Sequence, residues 1–263
     1  MTLLLDAVAE VARVAGDTAL HYFRSAGLTV EPKRDGTPVT VADRAAEQAA
    51  RGWLRARFPD DGILGEELGE ERPGARRRWV LDPIDGTKTF VRGVPLWGSL
   101  VAVHEGETIL AGAIYCPAVG ELVAAAPGAG CWWNGSRCAV SAVSDLADAT
   151  ILTTGVRFAG FPARGAAWRE LAERVAVSRT WGDCYGYLLV ATGRAELMTD
   201  PELSPWDAAA LLPVITEAGG VYTDWRGRVT AFGGAGVVAT NAVLAEEIRS
   251  RLGVGNGEER RST

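Results

Sequence analysis

The chain has 263 residues, 48% of them hydrophobic, and a formal net charge of −6 from 33 acidic against 27 basic side chains. That length can bury a sizeable core, and no basic stripe stands out to track a nucleic-acid backbone, so nucleic acid is not an expected partner. The four cysteines form no C-x-x-C pair, and His21 and His104 fall in no ligand motif, so thiolate or imidazole metal chemistry has little material to work with.

The opening MTLLLDAVAE turns acidic at Asp6, too soon for a signal peptide or membrane span. A cytoplasmic protein with no membrane partner is expected. Apolar side chains at helical spacing (Leu4, Val8, Val11, Ala15, Leu20, Phe23) predict an amphipathic helix over 3–24, stopped by the Ser-Ala-Gly at 25–27. The following EPKRDGTPVTVAD reads as an exposed, mobile loop. Thr40 with Asp43 resembles a capping box that opens a second helix to about Phe58.

Short apolar runs at 62–65, 79–84, 96–104, 108–116 and 121–126, separated by turn residues, predict an antiparallel meander. From about residue 150 strand and helix patterns alternate, as in an α/β unit. The expected organisation is an N-terminal α+β half over 1–145, a C-terminal α/β half over 146–254, and a disordered tail over 255–263.

The most informative segment is WVLDPIDGTKTF at 79–90, where an apolar strand runs straight into two carboxylates. Pro83 holds the chain between Asp82 and Asp85, so both can converge on one point. Like charges that close call for a divalent cation, and Gly86 and Thr87 open a possible helix whose amides suit a phosphate. Metal beside phosphate means phosphoryl chemistry. On this segment alone, a helix cap or Asx turn explains the two aspartates as well. Two further acids widen the case: Glu66 follows the short run GILG, and Asp207 follows Trp206 at the start of a helical stretch.

Taken together, GEE at 65–67, WVLDPIDGT at 79–87, WDAAALLPVITEAGG at 206–220 and KRDGTPVTVAD at 33–43 resemble, in order, the signatures of the inositol monophosphatase superfamily of lithium-sensitive Mg²⁺ phosphatases. The resemblance implies a layered α-β-α-β-α sandwich of mixed α+β and α/β character, a homodimer, and two or three Mg²⁺ per site. Glu66, Asp82 and the Ile84 carbonyl would hold the first ion; Asp82, Asp85 and Asp207 would hold the second. Water oriented by Glu66 and Thr87 would attack phosphorus, with Asp43 polarising Thr87 from the mobile loop. The amides of Asp85, Gly86 and Thr87 would carry the phosphate oxygens.

Within the superfamily, Lys88, FVRGVPLW at 90–97 and RTWGDCYGYLLVATGRAEL at 179–197 resemble the bacterial histidinol-phosphate phosphatases more than the inositol enzymes. A small phosphate ester with a cationic alcohol is the substrate this implies. Its pocket should offer anionic acceptors, Asp183 and Asp200, and an aromatic wall, Trp181 or Tyr185. Arg179 reads either as an ion-pair residue or as a substrate contact. The alternative is a broader inositol, sugar or nucleotide phosphatase with the same catalytic set. An aspartyl-phosphate enzyme needs its two aspartates at i and i+2, whereas here they are at i and i+3. A non-enzymatic binding protein is disfavoured because every ligand is present.

Overall fold

The computed structural model describes residues 3–25, 28, 30–32, 38–232, 234 and 236–255. Helix α1 (Leu3–Leu20) stops about one turn before the expected end, and 21–24 form turns, with Arg24 at a left-handed φ of 59°. Residues 33–37 of the expected mobile loop lie outside the described residues. On either side of them, β1 (Val30–Pro32) pairs antiparallel with β2 (Pro38–Thr40), so the flanks are an ordered ribbon where coil was expected. Helix α2 (Val41–Arg57) opens on the expected capping box: Thr40 N donates to Asp43 Oδ2 (2.7 Å) and Ala42 N to Thr40 Oγ1 (3.1 Å).

Next come β3 (Gly62–Gly65), β4 (Gly69–Glu71), β5 (Arg77–Asp85), the one-turn helix α3 (Thr87–Phe90), β6 (Gly98–Glu105), β7 (Thr108–Cys116), β8 (Glu121–Ala126), β9 (Gly130–Trp133) and β10 (Ser136–Cys138). They build an eight-stranded sheet in the order β10-β9-β8-β7-β6-β5-β3-β4, antiparallel except for the β3–β5 pair. β4, β9 and β10 are too short for periodicity to reveal. Beyond them lie β11 (Thr150–Thr153), α4 (Pro162–Ala172), β12 (Val177–Arg179), α5 (Asp183–Ala191), β13 (Leu197–Asp200), α6 (Pro205–Ala208), α7 (Leu211–Glu217), β14 (Val221–Thr223), β15 (Val237–Thr240) and α8 (Ala245–Leu252). These strands form a second sheet, β12-β11-β13-β15-β14, with β12, β11 and β13 parallel.

The helix expected across 206–220 is two helices. Pro213, third in α7, has no N–H to give and its ring crowds the carbonyl four residues back, so the helix breaks at 209–210.

Strand alternation sorts the apolar side chains into three layers. Trp79, Leu81, Val101 and Val103 pack on α1 and α2, whereas Val80, Leu100 and Ala102 face α5 and α7. Leu152, Met198 and Ala239 of the second sheet close that middle layer from the far side, and Ile151, Leu197 and Val238 turn outward onto α4 and α8. The result is the α-β-α-β-α sandwich, and one apolar layer is shared by both sheets. All four cysteines stand as free thiols, three buried and Cys138 half-buried. Among the described residues no helix is long and apolar enough to cross a membrane.

Candidate active site

Asp82 and Asp85 are three residues apart, an odd spacing that would send their side chains to opposite faces of a regular strand. The β5–β6 ladder prevents this: Asp82 pairs with Leu100 and Asp85 with Gly98, so three steps on one strand match two on the other. The bulge turns both carboxylates the same way. Pro83 sits inside it, where a ladder donor is not needed, and its carbonyl accepts from Ser99 Oγ at 2.7 Å. Ile84 N donates to Asp82 Oδ1 at 3.0 Å.

Asp207 arrives from the other half of the chain. It is the third residue of α6, where Ser204 N donates to its Oδ2 at 2.9 Å in a second capping box. That bond ties one of its oxygens to the start of its own helix. Asp82, Asp85 and Asp207 each bring a carboxylate oxygen within 4.8 Å of the others. Burial pushes the Asp82 carboxyl well above the usual range, and the charges of Glu66, Asp85 and Asp207 push it further. Burial, then Asp183 and Asp207, raise Asp85 likewise, opposed by a hydrogen bond from Cys184 N. Crowded oxygen donors whose own charge is disfavoured fit a hard divalent cation.

Glu66 lies in the turn after β3, its N donating to Leu81 O at 3.2 Å, and it lines the same cavity of about 920 Å³. The turn into α3 passes through Gly86 at φ 86°, a left-handed conformation that favours glycine. Thr87 Oγ1 lies 3.0 Å from Ile84 O and 3.4 Å from Asp43 Oδ1. Asp43 is not on a loop: it is buried in the first turn of α2, because its other oxygen caps that helix. Burial raises its carboxyl, opposed by the Thr40 bonds.

Asp183 and Asp200 form a second acidic tier in the same cavity. Thr154, at the C-terminal end of β11, joins them: its Oγ1 accepts from Asp183 N (2.9 Å) and its N donates to Asp200 Oδ1 (3.1 Å). Asp183 holds a left-handed φ of 51° without being glycine, which costs of order 1 kcal/mol, and accepts from Thr89 Oγ1 at 3.2 Å. Burial, opposed by that bond, raises its carboxyl. Asp200 is 5% exposed and also accepts from Tyr187 Oη (3.1 Å); burial pushes its pKa up to about 6.

Three expected substrate contacts fall elsewhere, and the first, Trp181, is exposed and outside the cavity lining. Tyr185 points its hydroxyl at Glu121 (3.1 Å), outside the cavity lining, because a shift of two residues along α5 rotates a side chain by about 200°. The aromatic residue of α5 that lines the cavity is Tyr187, four residues after Asp183 and therefore on its face of the helix. Arg179 ends β12 exposed, and its guanidinium turns back to Ser178 O at 2.8 Å. Sequence reasoning missed Thr154 and Tyr187; the i, i+4 spacing from Asp183 was the available signal for the tyrosine. For Thr154 it was the position at the carboxyl end of a parallel strand, where α/β sheets place ligands.

A carboxylate cluster beside a glycine turn, in a cleft between two stacked sheets, is the equipment of metal-assisted phosphate-ester hydrolysis, and comparison with known proteins gives the same class: a phosphomonoester hydrolase. The chain belongs to the inositol monophosphatase family, whose model matches residues 2–253. It is similar to histidinol-phosphatase of Chlorobaculum parvum, 42% identical over 99% of this chain and 100% of that one. It is also similar to histidinol-phosphatase of Mycobacterium tuberculosis, 39% identical over 89% of this chain and 91% of that one. Among solved structures, the extragenic suppressor protein SuhB of Bartonella henselae superposes with a TM-score of 0.90 at 30% identity, covering 95% of this chain and 98% of its own.

Proposed function

We propose that the chain hydrolyses L-histidinol phosphate to L-histidinol and phosphate, with Mg²⁺ held by Glu66, Asp82, Asp85, Asp207 and the Ile84 carbonyl, two or three ions per site. The observation that carries the substrate is the second acidic tier: Asp183 and Asp200 face the cavity that holds the metal-ligand cluster, and Thr154 fixes their separation. An alcohol bearing an ammonium and an imidazole suits such a wall; a neutral polyol gains less from it. The similarity to two histidinol-phosphatases supports the same substrate.

When held by these residues, Mg²⁺ would supply positive charge against the developing negative charge on the phosphoryl group and would acidify the attacking water. The protein's part is placement. Thr87, its hydroxyl within reach of Asp43, and Glu66 would together orient the attacking water. The Asp85–Thr87 turn receives the phosphate oxygens, and Asp183 and Asp200 hold the cationic alcohol so that its oxygen leaves in line.

Steady-state kinetics of the purified enzyme with Mg²⁺ tests the assignment. A higher kcat/KM for histidinol phosphate than for inositol 1-phosphate is expected, and the reverse order overturns it.

A further inference from the structure

Helix α2 carries Asp43, Glu47 and Arg51 at i, i+4 and i+8, so all three lie on one face, and all three are buried. Asp43 is accounted for by Thr87; Glu47 and Arg51 are not used by the mechanism. A buried ion pair of this kind is commonly no more stabilising than an apolar pair of the same size. What the Glu47 carboxylate does instead is geometrically specific.

Its Oε2 accepts from Glu67 N at 2.8 Å, and its Oε1 accepts from Leu68 N at 3.2 Å and from Arg51 Nε at 2.7 Å. Residues 66–68 are the whole turn between β3 and β4, and Glu66 is its first residue. Arg51 grips the far side of the same turn through Gly69 O and Glu71. Gly65 is explained by the same contact: a Cβ there would stand 2.0 Å from Glu47 Oε1, so the strand ends in glycine to admit the carboxylate. The Gly65-Glu66-Glu67 motif thus has one residue at the cavity, and the two flanking it are shaped around Glu47.

We infer that Glu47 is a positioning residue for the metal site: it locks the backbone of the 66–68 turn and so fixes where the Glu66 carboxylate stands relative to Asp82. The inference rests on Glu66 being a metal ligand. Loss of the lock should act on metal affinity first. Substitutions one shell away from a ligand typically cost 10–100-fold in metal binding.

Three variants test this by calorimetric titration of the metal-free enzyme with Mg²⁺ alone, beside kinetics and thermal melting. Glu47→Gln nearly preserves volume but sets an amide N–H₂ against a backbone N–H, and Gly65→Ala displaces the same carboxylate sterically. Both are expected to weaken Mg²⁺ binding about 10- to 100-fold and to raise the half-saturating Mg²⁺ for turnover equally, with KM for the phosphate ester at saturating Mg²⁺ nearly unchanged. Leu54→Ala, which removes a buried apolar side chain from the same helix, should lower the melting temperature and leave Mg²⁺ affinity as it was. Native Mg²⁺ affinity in Glu47→Gln, or an equal loss in Leu54→Ala, overturns the positioning role. If the native enzyme itself takes up no Mg²⁺, it is the metal-site assignment that falls, a result distinct from the other two.

Discussion

Replacing Asp200 by asparagine separates the electrostatic cost of the site from its use. The carboxylate is 5% exposed, accepts one bond from Thr154 N and one from Tyr187 Oη, and has its pKa pushed from an ordinary 3.8 to about 6, chiefly by burial. Between those two values the folded protein keeps a proton that the unfolded chain has released. The stability tied to Asp200 is therefore complete below pH 3.8, falls as pH rises through that window, and is lost above about 6. A displacement of that size corresponds to roughly 3 kcal/mol. Asparagine keeps an acceptor for Thr154 N and can donate to the Tyr187 oxygen, but it never ionises. Metal-free Asp200→Asn should accordingly melt roughly 6–12 °C above the native protein at pH 7.5, and the gap should shrink toward zero near pH 4. The same variant should bind the cationic ester more weakly, with KM raised about 10- to 100-fold, the worth of a charge-assisted hydrogen bond. Melting curves of the two proteins that stay parallel from pH 4 to pH 8 would refute the reasoning, as would a variant less stable at pH 7.5.

If the proposed bridging role of Asp82 holds, Asp82→Asn should remove Mg²⁺-dependent turnover by on the order of 10³-fold or more while circular dichroism shows the native fold, because the charge of the buried acid opposes folding; turnover close to native sinks that role. Thr87→Ala should lower kcat by about 100-fold or more with KM little moved if, as proposed, the hydroxyl orients water and does not hold the alcohol; a loss confined to KM contradicts that assignment.

Much of the fold was readable from short-range pattern. The runs at 62–65, 108–116 and 121–126 coincide with β3, β7 and β8, and Thr40–Asp43 marked the start of α2, because alternation and capping depend on neighbours within four residues. The acids of the site were legible for a related reason: Glu66 follows β3, Asp82 breaks an apolar run within β5 and Asp207 stands in the first turn of α6, and a carboxylate there is conspicuous without any knowledge of what lies opposite.

What local pattern could not supply was phase and proximity. Whether Asp82 and Asp85 share a face depended on a bulge registered against β6, whose Leu100 and Gly98 pair with them from well along the chain. Whether Tyr185 or Tyr187 lines the cavity depended on which side of α5 the two sheets bury. The parts played by Thr154 and Glu47 exist only where β11 approaches α5 and where α2 crosses the β3–β4 turn. Periodicity along the chain, set by backbone geometry, thus determined which elements form and which residues carry charge to their ends. The tertiary packing of two sheets around a common apolar layer decided which of those ends meet, because burial drives the layers together and only the assembled layers bring carboxylates from residue 66 to residue 207 around one cavity.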